Sequence, residues 1–340
     1  MSAGSYDEGV RALREVTGVV VPTYLPENPE RALQVRLLEE TVRAFLRELG
    51  DPSHLVLSAD GEDCGADVVR ELARHCGCSA VVHGRNLGKL HAVRLGARLL
   101  LESSAVQYVA VADNDGDHFA NELLNLVRCA QHASREGAEA LVIGGRLSRH
   151  RPMGFLRGEQ EELACRVLLD ALRYDAALTG RPLRLDHVLA VEDFPDFHSG
   201  YKLFTRAAAT AAFLREPVLA GTSETCYYRH ACEAAMVVEA LQGGAVLASV
   251  LRSTFNEQPV STFGRLDRSA LAADMISWPL LRLKVPASFA RVWLDNHISR
   301  LQLGTLAPLG RGELFAIRRQ VLAAYGEDTK EGPLPGPLFV

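Results

Sequence analysis

No stretch of this sequence stays apolar long enough to cross a bilayer. The longest nearly apolar runs, residues 106–112 and 207–214, fall far short of the roughly 20 residues that a membrane helix needs, so no transmembrane span is expected. A strong surplus of one charge is missing too: 37 Lys and Arg stand against 42 Asp and Glu, a formal net charge of −5. Proteins that bind nucleic acid by neutralising many phosphates carry a basic surplus or a concentrated basic stripe. Neither is present, and no nucleic-acid partner is expected. Cysteine is sparse, with seven scattered residues, which fits a reduced compartment better than a disulfide framework. His75, Cys76 and Cys78 stand close together in sequence, but Cys-x-Cys lacks zinc-ligand spacing and no second pair lies at a suitable distance. The N-terminal segment MSAGSYDEGVRALREVTG holds no apolar run behind its charges and no small-residue cleavage pattern. It does not read as a signal peptide, and a cytoplasmic protein is expected. No internal repeat is present.

What the chain does have is bulk and alternation. Its 340 residues are 48% apolar, with a mean hydropathy of +0.02, the balance of a globular protein able to bury a sizeable core. GVVVPT at 18–23 is a β-branched run ended by proline, as expected of a buried strand feeding a loop. In the following segment, 29–49, Leu33, Leu37, Leu38, Val42, Phe45, Leu46 and Leu49 recur at helical spacing. The alternation continues with strands at 55–58, 80–83, 108–112 and 140–143 and helices at 66–75, 89–101 and 121–134. Such alternation predicts an α/β fold, a Rossmann-like, mostly parallel sheet with helices on both faces. Beyond Arg146 the pattern changes: a helix is expected at 158–178, a Pro- and Asp-containing stretch at 181–196, HSGYKLFTR at 198–206 and a helix at 230–241. From Arg268 the reading is mainly helical, broken at Pro279, Pro286 and Pro308, and the tail GPLPGPLFV is expected to be flexible.

In open α/β sheets ligands bind beyond the carboxyl ends of the strands. Four consecutive predicted strands end in Pro22-Thr23-Tyr24, Asp60-Gly61-Glu62-Asp63, Gly84-Arg85-Asn86-Leu87-Gly88-Lys89 and Asp113-Asn114-Asp115-Gly116-Asp117. Carboxylates, a glycine-containing turn and a cation thus converge on one edge. Asp113, Asp115 and Asp117, at alternate positions, would repel one another unless a divalent cation neutralises them, and hard oxygen ligands suit Mg²⁺ or Mn²⁺. Asp117 taken alone could instead cap the helix near Asn121. A calcium loop of the EF-hand type is excluded, because its glycine comes too early and Leu124 stands where its closing Glu belongs. Asp60 can accept hydrogen bonds from a ribose or base edge, or simply shape an Asp-Gly turn. Asn86-Leu87-Gly88-Lys89 opens a helix whose free N–H groups and lysine favour phosphate, although P-loop spacing is absent and His91 and Arg94 can equally be read as surface residues of that helix.

Taken in order, VVVPTY, SADG, NLGKLHAVRLGA, VAVADNDGD, ALVIGGR and SGYKLFTRAA resemble glycosyltransferase family 2 and its relatives of the GT-A fold. The last motif is similar to the dolichyl- and polyprenyl-phosphate sugar transferases. The resemblance spans about residues 17–250 and lies in the ordered set rather than in any one motif. It implies a nucleotide-diphosphate sugar donor, a UDP- or GDP-sugar, whose sugar passes to an acceptor with inversion. Asp113 and Asp115 match the carboxylates that hold the Mg²⁺ or Mn²⁺ on the donor diphosphate. Pro22, Thr23 and Asp60 match the nucleoside pocket, Asn86, Gly88 and Lys89 match the loop beside it, and Tyr24 and Asn114 belong to the same motifs. The chain departs from the family in having Ala59-Asp60-Gly61-Glu62 for the usual Asp-Asp-Gly-Ser, Leu25 for an Asn, and no membrane helices.

If transfer is a single displacement onto a hydroxyl, a carboxylate base is needed on the acceptor side. The candidates are Glu233, Glu224 and Asp196. Glu233 is favoured because the family places its base at the start of a helix after the SGYKLFTR segment; Glu239, six residues on, is off that helical face. An ionised phosphate acceptor needs no base, and then Lys202, Arg206 and Arg229 are the cations of interest. His198 or His230 could complete a metal shell. The resemblance divides the chain into an extension at 1–16, a GT-A domain at 17–265 with a nucleotide-sugar half (17–146) and an acceptor half (147–265), a helical region at 266–330 and the tail at 331–340. The expected partners are the donor and a small-molecule or lipid-phosphate acceptor; homo-oligomerisation stays open. Three alternatives remain. One is a polyprenyl-phosphate enzyme meeting the membrane peripherally through LLRLKVPASFARVW (280–293), where core packing competes as the explanation. The others are a nucleotide-sugar binder without transfer and a nucleotidyltransferase, the latter lacking its glycine- and arginine-rich phosphate loop.

Overall fold

The computed structural model describes residues 3–135, 137–188, 193–258 and 267–327, so the expected tail at 331–340 lies outside the described residues. Seven strands, β1 (Thr17–Thr23), β2 (Leu55–Asp60), β3 (Ser79–His83), β4 (Tyr108–Val111), β5 (Ala140–Arg146), β6 (Lys202–Thr205) and β7 (Val246–Arg252), make one sheet in the order β3-β2-β1-β4-β6-β5-β7. All pairings are parallel except those of β6, which runs against both β4 and β5. The helices in chain order are α1 (Ala3–Val16), α2 (Arg31–Glu48), α3 (Ala66–Cys76), α4 (Lys89–Glu102), α5 (Leu123–Ala133), α6 (His150–Met153) and α7 (Phe155–Thr179). They continue with α8 (Arg206–Ala209), α9 (Cys232–Gln242), α10 (Arg268–Arg282), α11 (Ala287–Ile298), α12 (Leu303–Leu306) and α13 (Gly310–Ala323). The α/β fold, its mostly parallel sheet and its largely helical C-terminal region are as expected.

The strands are apolar on both sides because both faces are covered, the usual condition of a largely parallel sheet. Side chains alternate with a period of two. Val20, Val56, Val111, Ile143 and Phe204 join one core with α4, α7, α9, α10, α11 and α13. Their neighbours Val19, Val21, Leu57, Val142 and Leu203 join the other, under α1, α2, α3 and α5. Helix α4 lies close on β1: a Cβ at Gly96 would come within 2.5 Å of Val20 Cγ1, so the helix that carries Lys89 at its start is seated by a glycine.

Three elements depart from the sequence reading. The N-terminal extension is the helix α1, which packs on α5 and buries Leu13. KLFT of the HSGYKLFTR segment is the strand β6, inserted antiparallel between β4 and β5. Val246–Arg252 is an unforeseen strand, β7, paired in parallel with β5. The 280–293 segment is not one interfacial helix. It bends at Lys284, whose φ is 54°, and Leu280, Leu283 and Val285 are buried in the core while Phe289 and Val292 are exposed. Among the described residues no helix is long and apolar enough to cross a membrane.

Candidate functional site

The topology gathers the site. Because β1, β2, β3 and β4 run in parallel, their motifs emerge along one edge, and β5 and β7 bring Arg146 and Arg252 to the same edge. Antiparallel β6 starts there, with Lys202 opposite Val111. A cavity of about 530 Å³ opens between the two groups of loops, within the range of ligand sites. Pro22, Thr23, Tyr24, Asp60, Asn86, Gly88, Lys89, Asp113, Asn114 and Asp115 all line it. The β3-β2-β1 side holds the residues expected to meet a nucleotide, the β6-β5-β7 side those facing an acceptor, and the end of β4 lies between.

The loop before α4 is fixed from two sides. Asp60 accepts the N–H groups of Leu87 and Gly88, both at 2.9 Å. Asp60 thus shapes the loop, the turn reading that its Asp-Gly sequence offered, while it also lines the cavity. On the other side Arg229 donates to the carbonyl of Asn86 at 2.8 Å and to its Oδ1 at 2.7 Å. Gly88 has a φ of 133°, and a Cβ there would lie 2.4 Å from Arg229 Cγ and 2.6 Å from the Tyr228 carbonyl oxygen. Gly88→Ala is expected to cost about 2 kcal/mol of stability, from strain at a positive φ together with the clash, which urea unfolding of the two proteins would read.

At the end of β4 the charges alternate. Lys89 Nζ lies 2.6 Å from Asp113 Oδ1 and 2.6 Å from Glu233 Oε1, and Glu233 also pairs with the fully buried Lys202. Burial alone would lower the pKa of Lys89, but Asp113 and Glu233 outweigh it and hold the ammonium well above its usual range. Burial would likewise raise Glu233, yet Lys202 and Lys89 keep it low and ionised. Asp115 differs: burial and the neighbouring Asp113 push it up to about 6. It accepts from the Asp117 N–H at 3.1 Å and from Gln258 Nε2 at 2.8 Å. His118 stacks on Tyr201 with ring centres 4.8 Å apart and accepts the Asp113 N–H at 2.8 Å. Burial, reinforced by Arg252 and Lys89, keeps it neutral. The glycine of SGYKLFTR has a reason in this cluster, since a Cβ on Gly200 would stand 2.6 Å from Asp113 Oδ2.

Several candidate residues sit elsewhere than their motifs suggested. Asp117 is not placed as a third metal ligand: its Oδ2 pairs with Arg252 at 3.1 Å and its Oδ1 accepts the Phe255 N–H at 2.7 Å, which ties β7 to the β4 loop. Arg206 is corrected as an acceptor-side cation. Four residues of antiparallel strand carry it from Lys202 to the far end of the sheet, where it donates to the carbonyls of Leu101, Ser103 and Val106. Asp196 is corrected as a base, because both its oxygens are held by Arg146 and it does not line the cavity. Burial would raise its pKa, and Arg146 more than offsets this, holding it far below the carboxylate range. Glu224 is exposed, lies outside the cavity and is 3.6 Å from Arg85. His230 reaches the cavity but bonds Asp274 at 2.6 Å. Glu233, Lys202 and His198 are all buried, and Glu233 and His198 line the cavity.

Sequence reasoning missed His118, Arg146, Arg252 and Gln258. Arg146 ends the ALVIGGR strand and could have been found by the strand-end rule. Arg252 stood on a strand that was not foreseen, and nothing local marks Gln258.

A divalent cation at the end of β4 would take its protein ligands from carboxylate oxygens. Among the described residues no group of three or more His, Cys, Asp and Glu is gathered to hold a metal ion. Burial and then the neighbouring Asp113 push Asp115 up to about 6, whereas burial of Asp113 is outweighed by Lys89, which holds it below the usual carboxylate range, so of the two carboxylates Asp115 is the one short of positive charge. Two carboxylates with the remaining positions left to phosphate oxygens and water are how Mg²⁺ is often held, and these residues fit that group.

His198 carries a pH signature. Burial drives its imidazole down to about 4 from the ordinary histidine value of 6.5, so the folded state resists a proton that the unfolded chain accepts. Its contribution is intact above pH about 6.5 and is lost as pH falls toward 4, amounting to up to about 3 kcal/mol. The urea midpoint is expected to fall more between pH 7 and pH 5 in the unaltered protein than in His198→Gln.

No protein-family model and no curated protein matches this chain. Among solved structures it is similar to S. aureus TarS 1-349 at 12% identity and a TM-score of 0.38, covering 93% of each chain. It is also similar to 4-diphosphocytidyl-2C-methyl-D-erythritol synthase at 15% identity and a TM-score of 0.36, covering 78% of this chain and 99% of that one. Likenesses at this level assign neither family nor activity, so the functional reading depends on the chain's own residues.

Proposed function

We propose that this chain is a glycosyltransferase that takes a sugar from a nucleotide-diphosphate sugar, with Mg²⁺ or Mn²⁺ bound at Asp113 and Asp115. The observation that carries the reading is the convergence on one cavity of the loop held by Asp60, the start of α4 with Lys89, and the Asp113–Asp115 pair. The ordered motif resemblance supports it. Pro22, Thr23 and Tyr24 line the side where the nucleoside rests, and the Asn86-Leu87-Gly88 turn borders the diphosphate. Lys89, held fully charged, supplies a fixed cation beside it. The cation, when bound, stabilises the charge that develops on the leaving diphosphate. Glu233 is the acidic candidate that stays at the cavity and is ionised, and it is assigned as the base for a hydroxyl acceptor.

A panel of UDP- and GDP-sugars incubated with Mn²⁺ or Mg²⁺ tests this. Slow release of nucleoside diphosphate, dependent on the cation and absent in Asp115→Ala, is expected. Release that persists in full in that variant would remove the metal assignment, and no release from any donor would sink the reading.

A further inference from the structure

Lys89 sits on one of the two carboxylates assigned to the cation. Its Nζ lies 2.6 Å from Asp113 Oδ1 and 2.6 Å from Glu233 Oε1. The ammonium is held from three directions. Lys89 opens α4, whose close seat on β1 is set at Gly96, and Glu233 grips it from the first turn of α9. Gly200 bounds the same space: a Cβ there would stand 3.1 Å from Lys89 Nζ and 2.6 Å from Asp113 Oδ2. The side chains of Lys89 and Asp113 are 26% and 27% exposed, and partly buried charges such as these are screened much less by salt than charges on the open surface.

A divalent cation at Asp113 and Asp115 therefore shares the Asp113 carboxylate with a resident ammonium. The two positive charges repel, and the attraction that Asp113 offers a cation is already partly offset by Lys89. A nucleoside diphosphate changes that balance, because its oxygens bring negative charge to the lysine and to the cation together. The ammonium that opposes a bare cation attracts the cation with its diphosphate.

We propose that Lys89 makes the cation site conditional on nucleotide: its ammonium, fixed on Asp113, keeps affinity for a bare divalent cation low, and the diphosphate relieves the repulsion, so that cation and nucleotide bind interdependently. This rests on the metal and nucleotide reading above and adds the residue that couples the two ligands. Coupling of binding is reciprocal, so whatever the diphosphate does for the cation, the cation does equally for the diphosphate. Lys89 is a positioning residue in this account, and no bond-breaking step is assigned to it. Its removal leaves Glu233 paired with Lys202, so the charge cluster keeps its buried partner.

The test is a titration of Mn²⁺ into the full chain without nucleotide, read from the electron paramagnetic resonance signal of free Mn²⁺, for the unaltered protein, Lys89→Gln, Lys89→Met and Lys89→Arg. Removing the ammonium in Lys89→Gln or Lys89→Met is expected to tighten Mn²⁺ binding about 10-fold, whereas Lys89→Arg, which keeps the charge, leaves it weak. Asp113→Asn added to Lys89→Gln is expected to abolish the gain. The rise in melting temperature given by UDP or GDP at saturating Mn²⁺ moves the other way, shrinking in Lys89→Gln because the diphosphate has lost its fixed cation. A merely structural lysine would weaken both. Mn²⁺ binding that is unchanged or weaker in both Lys89→Gln and Lys89→Met, or a gain that survives Asp113→Asn, overturns the proposal. If nucleotide with Mn²⁺ still stabilises the unaltered protein in that case, this inference alone falls. If neither Mn²⁺ nor nucleotide acts on any form, the metal and nucleotide reading falls with it.

Discussion

Asp113→Asn is expected to lower kcat/KM for sugar transfer about 10³-fold while the protein stays folded. The argument is electrostatic. Asp113 stands at the end of β4, where the two sides of the cavity meet, with Lys89 on one oxygen and the Asp115 pair partner two residues on. Losing a charged group that organises charge stabilisation of a leaving diphosphate removes several kcal/mol, and each 1.36 kcal/mol is roughly tenfold in rate. Stability changes little because Lys89 keeps Glu233 as a partner and Asn preserves the shape. Steady-state rates across a donor series, with circular dichroism as the folding control, check it; a loss below about tenfold would move the site away from Asp113.

The second large effect concerns stability. Glu233→Gln is expected to destabilise the fold by about 3–5 kcal/mol, because Lys202 is fully buried and its ammonium would lose its carboxylate. The Ser199 carbonyl still accepts from it, but a neutral oxygen does not neutralise a buried charge. If the cause is the stranded charge rather than lost packing, Lys202→Met in the same chain recovers most of the loss. Urea titrations of the two single variants and the double variant decide this: a double variant no better than Glu233→Gln would mean that Lys202 is not what makes Glu233 necessary. The double variant is expected to be folded and still inactive, since Glu233 is also the assigned base.

Much of the nucleotide side was legible in the sequence because its information is local. GVVVPT, VAVAD and the amphipathic 29–49 segment each announce their period within a few residues, and the strand-end rule then places Pro22, Asn86, Lys89 and Asp113 on one edge without further data. The acceptor side was less legible because its geometry is non-local. KLFT is four residues long and pairs antiparallel with strands distant in sequence, so nothing near Arg206 reveals that the reversed direction carries it to the wrong end. The partners of Asp117, Asp196 and Lys202 lie 135, 50 and 31 residues away, and a carboxylate's role as ligand, base or counter-ion is decided by those partners. Asp60 shows the same limit at shorter range: the motif placed it at the cavity, and only the backbone of the loop 27 residues on shows which atoms it bonds.

Thermal melting of the unaltered chain and of Asp113→Asn, each with UDP and GDP in the presence of Mn²⁺ and again in EDTA, tests the central claim most directly, since a ligand that binds the folded state stabilises it in proportion to its affinity. At least one nucleoside diphosphate is expected to raise the melting temperature of the unaltered protein only when Mn²⁺ is present, with the rise lost in Asp113→Asn. No stabilisation by either nucleotide, or a rise that survives both EDTA and the loss of the Asp113 carboxylate, would contradict the assignment of this cavity to a metal-bound nucleotide-diphosphate sugar.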